Sequence, residues 1–274
     1  MRNSPKIVYK YRSWEDKNHK RVLLNNELYF ASPKEFDDPF DCRIPPNFSL
    51  LSEAEMDNYI TDMLVKHIAE KIDSRSVNLN VIIPDFEKRM RNIKESQKSY
   101  AKMFFADQDT YYGVLSLAWR WNRIPMWARY GNFHKGYCIG FYEEELRKSM
   151  KTNHGAAKSV KYSNKFPEIK PIVFKDPNDQ EIIDRLFIQY FYKSNAWRYE
   201  KEFRIITNYF PKVPTLQDRL LTFSDDAIKE VILGIDILPK EKEEIIENCH
   251  TRKIPVFQAE KVDFKFTIEK NEIK

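Results

Sequence analysis

Short β-branched and aromatic runs stand on both sides of a long polar stretch with helical spacing, and that layout restrains the fold most. Before the stretch come Ile7-Val8-Tyr9-Lys10-Tyr11-Arg12 and Glu27-Leu28-Tyr29-Phe30-Ala31. After it come residues 112–119, 137–142 and 228–234, all of the composition that forms strands. The polar stretch, residues 52–106, opens with the helix start Ser52-Glu53-Ala54-Glu55. It then spaces Ile60, Leu64, Val65 and Ile68 as on one helix face. A break is expected over 74–84 and a second helix over 85–105, with Lys88, Arg89, Arg91, Lys94, Lys98 and Lys102 as a solvated face. Strands and helices alternate in no regular order. The expected fold is therefore α+β: one domain over residues 1–274, with a single mixed or antiparallel sheet as core and residues 52–106 as a helical insertion on its outside.

Local signals fill in the rest. Ser13 is expected to cap a helix reaching about Leu24, with Asp16 in a capping-box-like place. Pro33 ends the second strand, since proline cannot donate to a ladder. Pro125 opens a short helix over 125–130, and residues 131–136 form a turn. Further helices are expected over 143–150, 179–192 and 239–249, and further strands over 159–162, 256–259 and 264–268.

Composition excludes several function classes. With only six glycines and no G-x-G-x-x-G or Walker-type string, a glycine-rich phosphate loop is excluded. Cys42, Cys138 and Cys249 are far apart and odd in number, so neither a disulfide framework nor a C-x-x-C metal site is expected. No His/Cys cluster suggests zinc, and no metal ligand set is assigned. A net charge of +5 permits a nucleotide or nucleic-acid partner without demanding one. Without a signal peptide or a run of membrane-spanning length, the chain is expected to be cytoplasmic and to have no membrane partner.

Two segments concentrate charge. If Trp197-Arg198-Tyr199-Glu200-Lys201-Glu202-Phe203-Arg204 is a strand, then Glu200, Glu202 and Arg204 share one face and Tyr199, Lys201 and Phe203 the other. Two carboxylates on one face beside large aromatics are costly unless paired, which marks a candidate site. The plainer alternative is an edge strand with its polar face in water. The second segment is Phe36-Asp37-Asp38-Pro39-Phe40-Asp41. Its aspartates either cap backbone N–H groups or fold over a pocket near the late strand, with Arg198 and Arg204 as cationic partners.

Six blocks occur in order: residues 9–12, 28–33, 36–41, 126–130, 134–141 and 197–204. In this combination the chain resembles the bacterial family called domain of unknown function 2971, over a span from Tyr9 to about Gly234. The block order is also similar to that of ADP-ribosyltransferase-like domains. That resemblance implies an NAD-consuming enzyme, of the kind used as a toxin or phage-defence effector, with NAD as substrate and a nucleic acid or protein as acceptor. It implies Glu202, Glu200 and Ser116 as catalytic residues, Glu202 first among them. It implies Arg12 or Tyr11 on the first strand as a nucleotide ligand, with Arg12 on phosphate. Trp127 and Trp197 would stack on nicotinamide or adenine, and His134 and Arg204 would contact the nucleotide. Two alternatives stay open. A metal-dependent nuclease or phosphoesterase would use Asp37, Asp38 or Asp41 with Glu200 and Glu202 as oxygen ligands. A non-catalytic nucleotide- or partner-binding module would need no convergent site and would show an exposed apolar patch.

Overall fold

The computed structural model describes residues 5–71, 79–150, 154–171 and 180–273. The first half runs β1 Ile7–Arg12, α1 Lys17–Leu24, β2 Glu27–Tyr29, α2 Glu53–Lys71, α3 Leu79–Arg91, α4 Ile93–Tyr111, β3 Tyr112–Ala118, α5 Ile124–Tyr130, β4 Tyr137–Tyr142 and α6 Glu143–Ser149. The second half runs β5 His154–Ser159, β6 Lys161–Ser163, α7 Gln180–Phe187, β7 Tyr192–Ser194, β8 Glu202–Asn208, β9 Leu220–Thr222, β10 Ile228–Leu233, α8 Pro239–Thr251, β11 Val256–Lys261 and β12 Ile268–Glu272.

Eight strands form one mixed sheet in the order β12-β11-β10-β4-β1-β3-β8-β5. Among the described residues of this sheet only β10 and β11 pair in parallel, and α8 lies between them in the chain, as a crossover requires; β6 and β7 pair in parallel apart from it. The α+β class and the single large sheet are as the sequence implied. β2 departs from expectation: it pairs with β9 in a separate two-stranded sheet. Leu28 on β2 still packs into the main apolar cluster.

Alternation along the strands sorts side chains onto two faces. Leu115, Leu117, Phe203 and Ile205 pack with Leu23, Leu146 and Ile245 from α1, α6 and α8. On the opposite face, Tyr9, Tyr11 and Ala118 pack against Met126 and Trp127 of α5. Val114 and Ile206 pack there against Phe187, Tyr190 and Phe191. Ser116 lies between Val114 and Ala118 on β3, so it falls in the gap between those two clusters.

That gap coincides with a split in the sheet. β1 makes six residue pairs with β4, and β3 makes seven with β8. β1 and β3 meet at one pair alone, Tyr9 with Ala118. From there Lys10–Arg12 and the earlier residues of β3 diverge. The turn before β4 is drawn tightly onto the end of β1: a Cβ built on Gly136 would lie 2.1 Å from the Arg12 carbonyl oxygen, so only glycine fits.

Several expected boundaries shift. Asp16, not Ser13, caps α1; its carboxylate accepts from the Asn18 and His19 N–H groups at 2.7 and 3.2 Å. The helix expected over 85–105 is two helices divided at Asn92, whose side chain caps α4, and α3 runs through Pro84. Part of the expected break over 74–84 lies outside the described residues. α4 continues past 106 to Tyr111. The helix expected from 179 begins outside the described residues too, and beyond Phe187 it tightens into a 3-10 turn, Ile188–Phe191. α2 to α4 enclose their own cluster of Phe48, Met56, Tyr59 and Ile60. The strand expected over 159–162 is divided between β5 and β6. The last strand begins at Ile268, and Phe264 and Phe266 stand fully exposed before it.

Candidate functional site

The run 197–204 is not one strand. Asn195–Glu200 is a 3-10 helix, Lys201 takes a left-handed conformation with φ 47°, and β8 starts only at Glu202. Glu200 and Glu202 therefore reach the same place from different elements, not by strand alternation. Nor is β8 an edge strand with a wet polar face. It lies between β3 and β5, and Arg204 and Glu202 are 0 % and 5 % exposed.

Arg204 is the anchor. Its Nε and Nη2 donate to the two oxygens of Glu202 at 2.7 and 3.1 Å. Its Nη1 and Nη2 donate to the two oxygens of Asp41 at 2.7 Å each, and Nη1 also reaches the Tyr190 carbonyl at 2.9 Å. These five bonds match the five donors of a guanidinium, so burying this charge is fully compensated. Asp41 thus locks the aspartate turn to the late strand. Asp37 is exposed and lies 3.4 Å from Arg129, and Asp38 accepts from the Phe40 N–H.

Lys193 on β7 closes the cluster. Its ammonium lies 2.6 Å from Glu200, 2.7 Å from Glu202 and 3.2 Å from Asp41. Tyr130 at the end of α5 donates its hydroxyl to Glu200 at 2.6 Å. The Tyr162 hydroxyl accepts from the Glu202 N–H at 2.8 Å. Three carboxylates face two cations, an imbalance that favours retaining one proton. Burial first, then the neighbouring Glu202, push Glu200 up to about 7. Burial also opposes ionisation of Glu202, but Arg204 and Lys193 outweigh it and hold Glu202 well below the usual carboxylate range. Lys193 is held above the ordinary lysine value because Glu202 and Asp41 outweigh its own burial. One carboxyl is poised near neutrality beside one that stays charged, the division of labour that acid–base sites use.

A cavity of about 200 Å³ opens onto this cluster and reaches the split in the sheet. Arg12, Tyr11, Ser116, Trp197, Glu200, Glu202 and Arg204, all named from the sequence, line it. Ser116 pairs across the ladder with Arg204, and its buried Oγ has no hydrogen-bond partner. Trp197 lies beneath the Arg129 guanidinium at 4.6 Å and the Lys193 ammonium at 4.9 Å from its ring centre. Tyr11 reaches the cavity, but its ring packs edge-on against Trp127 and its hydroxyl donates to the Arg120 carbonyl.

Trp127 and His134 lie elsewhere. Trp127 is fully buried and donates its indole N–H to the Trp121 carbonyl, so it is core. His134 stacks against Trp127 on a left-handed turn, φ 69°, with Asp236 and Lys261 as its charged surroundings. Neither lines the cavity. Both residues were named through the resemblance; period and composition do not show which side of α5 faces the sheet, and His134 lies on the turn after that helix. Lys193, Tyr130, Arg129 and Lys10 were not singled out. Three of them stand inside the quoted blocks, but Lys193 carries no local signal.

Residues 126–205 match the model of a family described as Protein of unknown function (DUF2971). The matched segment is less than a third of the chain. It holds Tyr130, Lys193, Glu200, Glu202 and Arg204, whereas Lys10, Arg12, Asp41 and Ser116 come from outside it. No curated protein and no solved structure matches the chain. Among the described residues, no helix is long and apolar enough to cross a membrane.

Proposed function

We propose that the cleft is the active site of an NAD-consuming, ADP-ribosyltransferase-like enzyme. What carries the proposal is the convergence of Arg12, Ser116, Glu200 and Glu202 on one cavity from separate elements. In the reaction, the bond between ribose C1′ and the nicotinamide nitrogen breaks. Nicotinamide leaves with the electron pair, and positive charge develops on the ribose ring. Glu202, ionised and held rigidly by Arg204, supplies the facing negative charge without reorganising. Glu200 titrates near neutrality, the range suited to removing a proton from the attacking hydroxyl of acceptor or water. Trp197, which lines the cavity, would pack against the base. A toxin or phage-defence role is the setting we attach to this activity.

Incubating the purified protein with NAD and measuring released nicotinamide tests the proposal. Glu202→Gln keeps size and most hydrogen bonding but removes charge, and it should lower turnover by about 10²-fold or more. A wild-type protein that neither binds nor cleaves NAD would end this reading. One observation favours a second: Asp41, Glu200 and Glu202 all lie within 3.2 Å of a single Lys193 ammonium. Among the described residues no group of acidic, His or Cys side chains is arranged to hold a metal ion as the cluster stands, so a phosphoesterase site would require a divalent ion to displace the Lys193 ammonium. Cleavage of nucleic acid dependent on added magnesium or manganese, strengthened in Lys193→Ala, would select it.

A further inference from the structure

The cleft contains two lysines in opposite circumstances. Lys193 is surrounded by carboxylates, whereas Lys10, among the described residues, has none within ion-pair distance and donates only to the Ser116 carbonyl oxygen, at 2.6 Å. Arg12 stands two residues along β1, the spacing that puts both side chains on one face of a strand. Among the described residues Arg12 has no ion-pair partner either; its one side-chain bond there is a long 3.5 Å reach to the Tyr11 carbonyl, and its buried Nε is unpaired. The unpaired Ser116 Oγ faces the same cavity. Two like charges brought side by side with no carboxylate in direct contact among the described residues are costly to bury; Asp16 favours the Arg12 charge only from beyond ion-pair distance. The neighbouring groups register that cost. Burial and then Arg12 hold Lys10 well below the ordinary lysine value, and burial and then Arg12 bring His19 down to about 4. The carboxylates of the cleft relieve it only in part: Glu202 and Glu200 favour the charged amine, but Lys193 and Arg204 already engage them and Arg204 opposes it.

We propose that Lys10 and Arg12 are the floor of an anion site at the split between β1 and β3, and that its ligand is a phosphate or diphosphate group. Two cations and a free hydroxyl match a dianion with several acceptor oxygens; a single carboxylate would leave one charge unbalanced. This deepens the reading of the same cleft by adding Lys10 to it and assigning the deep end to the phosphate of a nucleotide, with the base towards Trp197. It also gives binding a proton signature. Lys10 faces Arg12 on its own strand, with Arg204 opposing its charge and Glu202 and Glu200 favouring it. A bound anion tips that balance and draws a proton onto the amine.

The test is calorimetric titration of the full chain with inorganic pyrophosphate, and separately with inorganic phosphate, in buffers of differing ionisation enthalpy near pH 8. The expected results are binding accompanied by proton uptake, and affinity that falls as pH rises. Lys10→Met should weaken pyrophosphate binding about tenfold or more, the loss of one charge-assisted contact. Lys10→Arg should keep the affinity but lose the proton uptake, because arginine stays charged. If Lys10→Met does not fold, the wild-type proton uptake and Lys10→Arg decide. Absence of pyrophosphate and phosphate binding by the wild type, or unchanged affinity in folded Lys10→Met, would overturn the site. Pyrophosphate binding without NAD turnover would leave the anion site standing and remove the proposed reaction. NAD turnover with pyrophosphate binding indifferent to Lys10 would do the reverse.

Discussion

Lys193→Met removes the ammonium from the centre of the acid cluster and keeps the length of the side chain. In the native protein, Asp41, Glu200 and Glu202 face Lys193 and Arg204, three negative against two positive, a formal balance of −1. The substitution leaves three against one, or −2, in a place where the Lys193 side chain is only 8 % exposed. Breaking a buried pair on one side costs about 3–5 kcal/mol, because the partner charge stays desolvated. At about 2–4 °C per kcal/mol for a chain of this class, the melting temperature should fall on the order of 10 °C. Adding Glu200→Gln returns the formal balance to −1 and should recover about 1–3 kcal/mol, the coupling expected of groups in direct contact. Urea and thermal unfolding of the wild type, both single variants and the double variant measure the cycle. A loss under about 1 kcal/mol in Lys193→Met, or strictly additive losses in the double variant, would refute the claim that this lysine balances the carboxylates.

Glu200 is raised above its ordinary value, so its neutral form stabilises the fold. That contribution is complete below the ordinary carboxylate range and is lost as pH rises through about 7. The urea midpoint should fall across that window and the fall should flatten in Glu200→Gln; a wild-type midpoint flat with pH contradicts it. Tyr130→Phe removes the 2.6 Å donor to Glu200, a bond that favours the ionised carboxylate, and should move the titration upward by up to about one pH unit, read by carboxyl NMR. A titration that moves down or stays fixed would show that the hydroxyl does not stabilise the charge. Gly136→Ala places a methyl 2.1 Å from the Arg12 carbonyl oxygen and should cost about 2 kcal/mol or more while weakening pyrophosphate binding. Unchanged stability in that variant would mean that the turn does not position β1.

What the sequence by itself determined is what local composition controls. β-branched and aromatic runs became strands, helical spacing in 52–106 became helices, and the isolated cysteines and sparse glycines removed whole site classes. It also marked Glu200, Glu202, Arg204 and the aspartate turn as expensive charges in need of partners, since that cost depends on residue type alone. Tertiary structure decided the rest. The left-handed Lys201 breaks the supposed strand, yet both glutamates still converge, because the Lys193 ammonium on β7 binds both of them, and Arg204 ties Glu202 to Asp41 from far along the chain. Trp127 became core and Trp197 a cleft wall through the side of the sheet each one meets, which no spacing encodes. The split between β1 and β3 leaves Lys10 and Arg12 unpaired, and it arises where two strands diverge after a single residue pair. A ladder's end is set by the packing of everything on either side of it, so that feature is written nowhere in Tyr-Lys-Tyr-Arg.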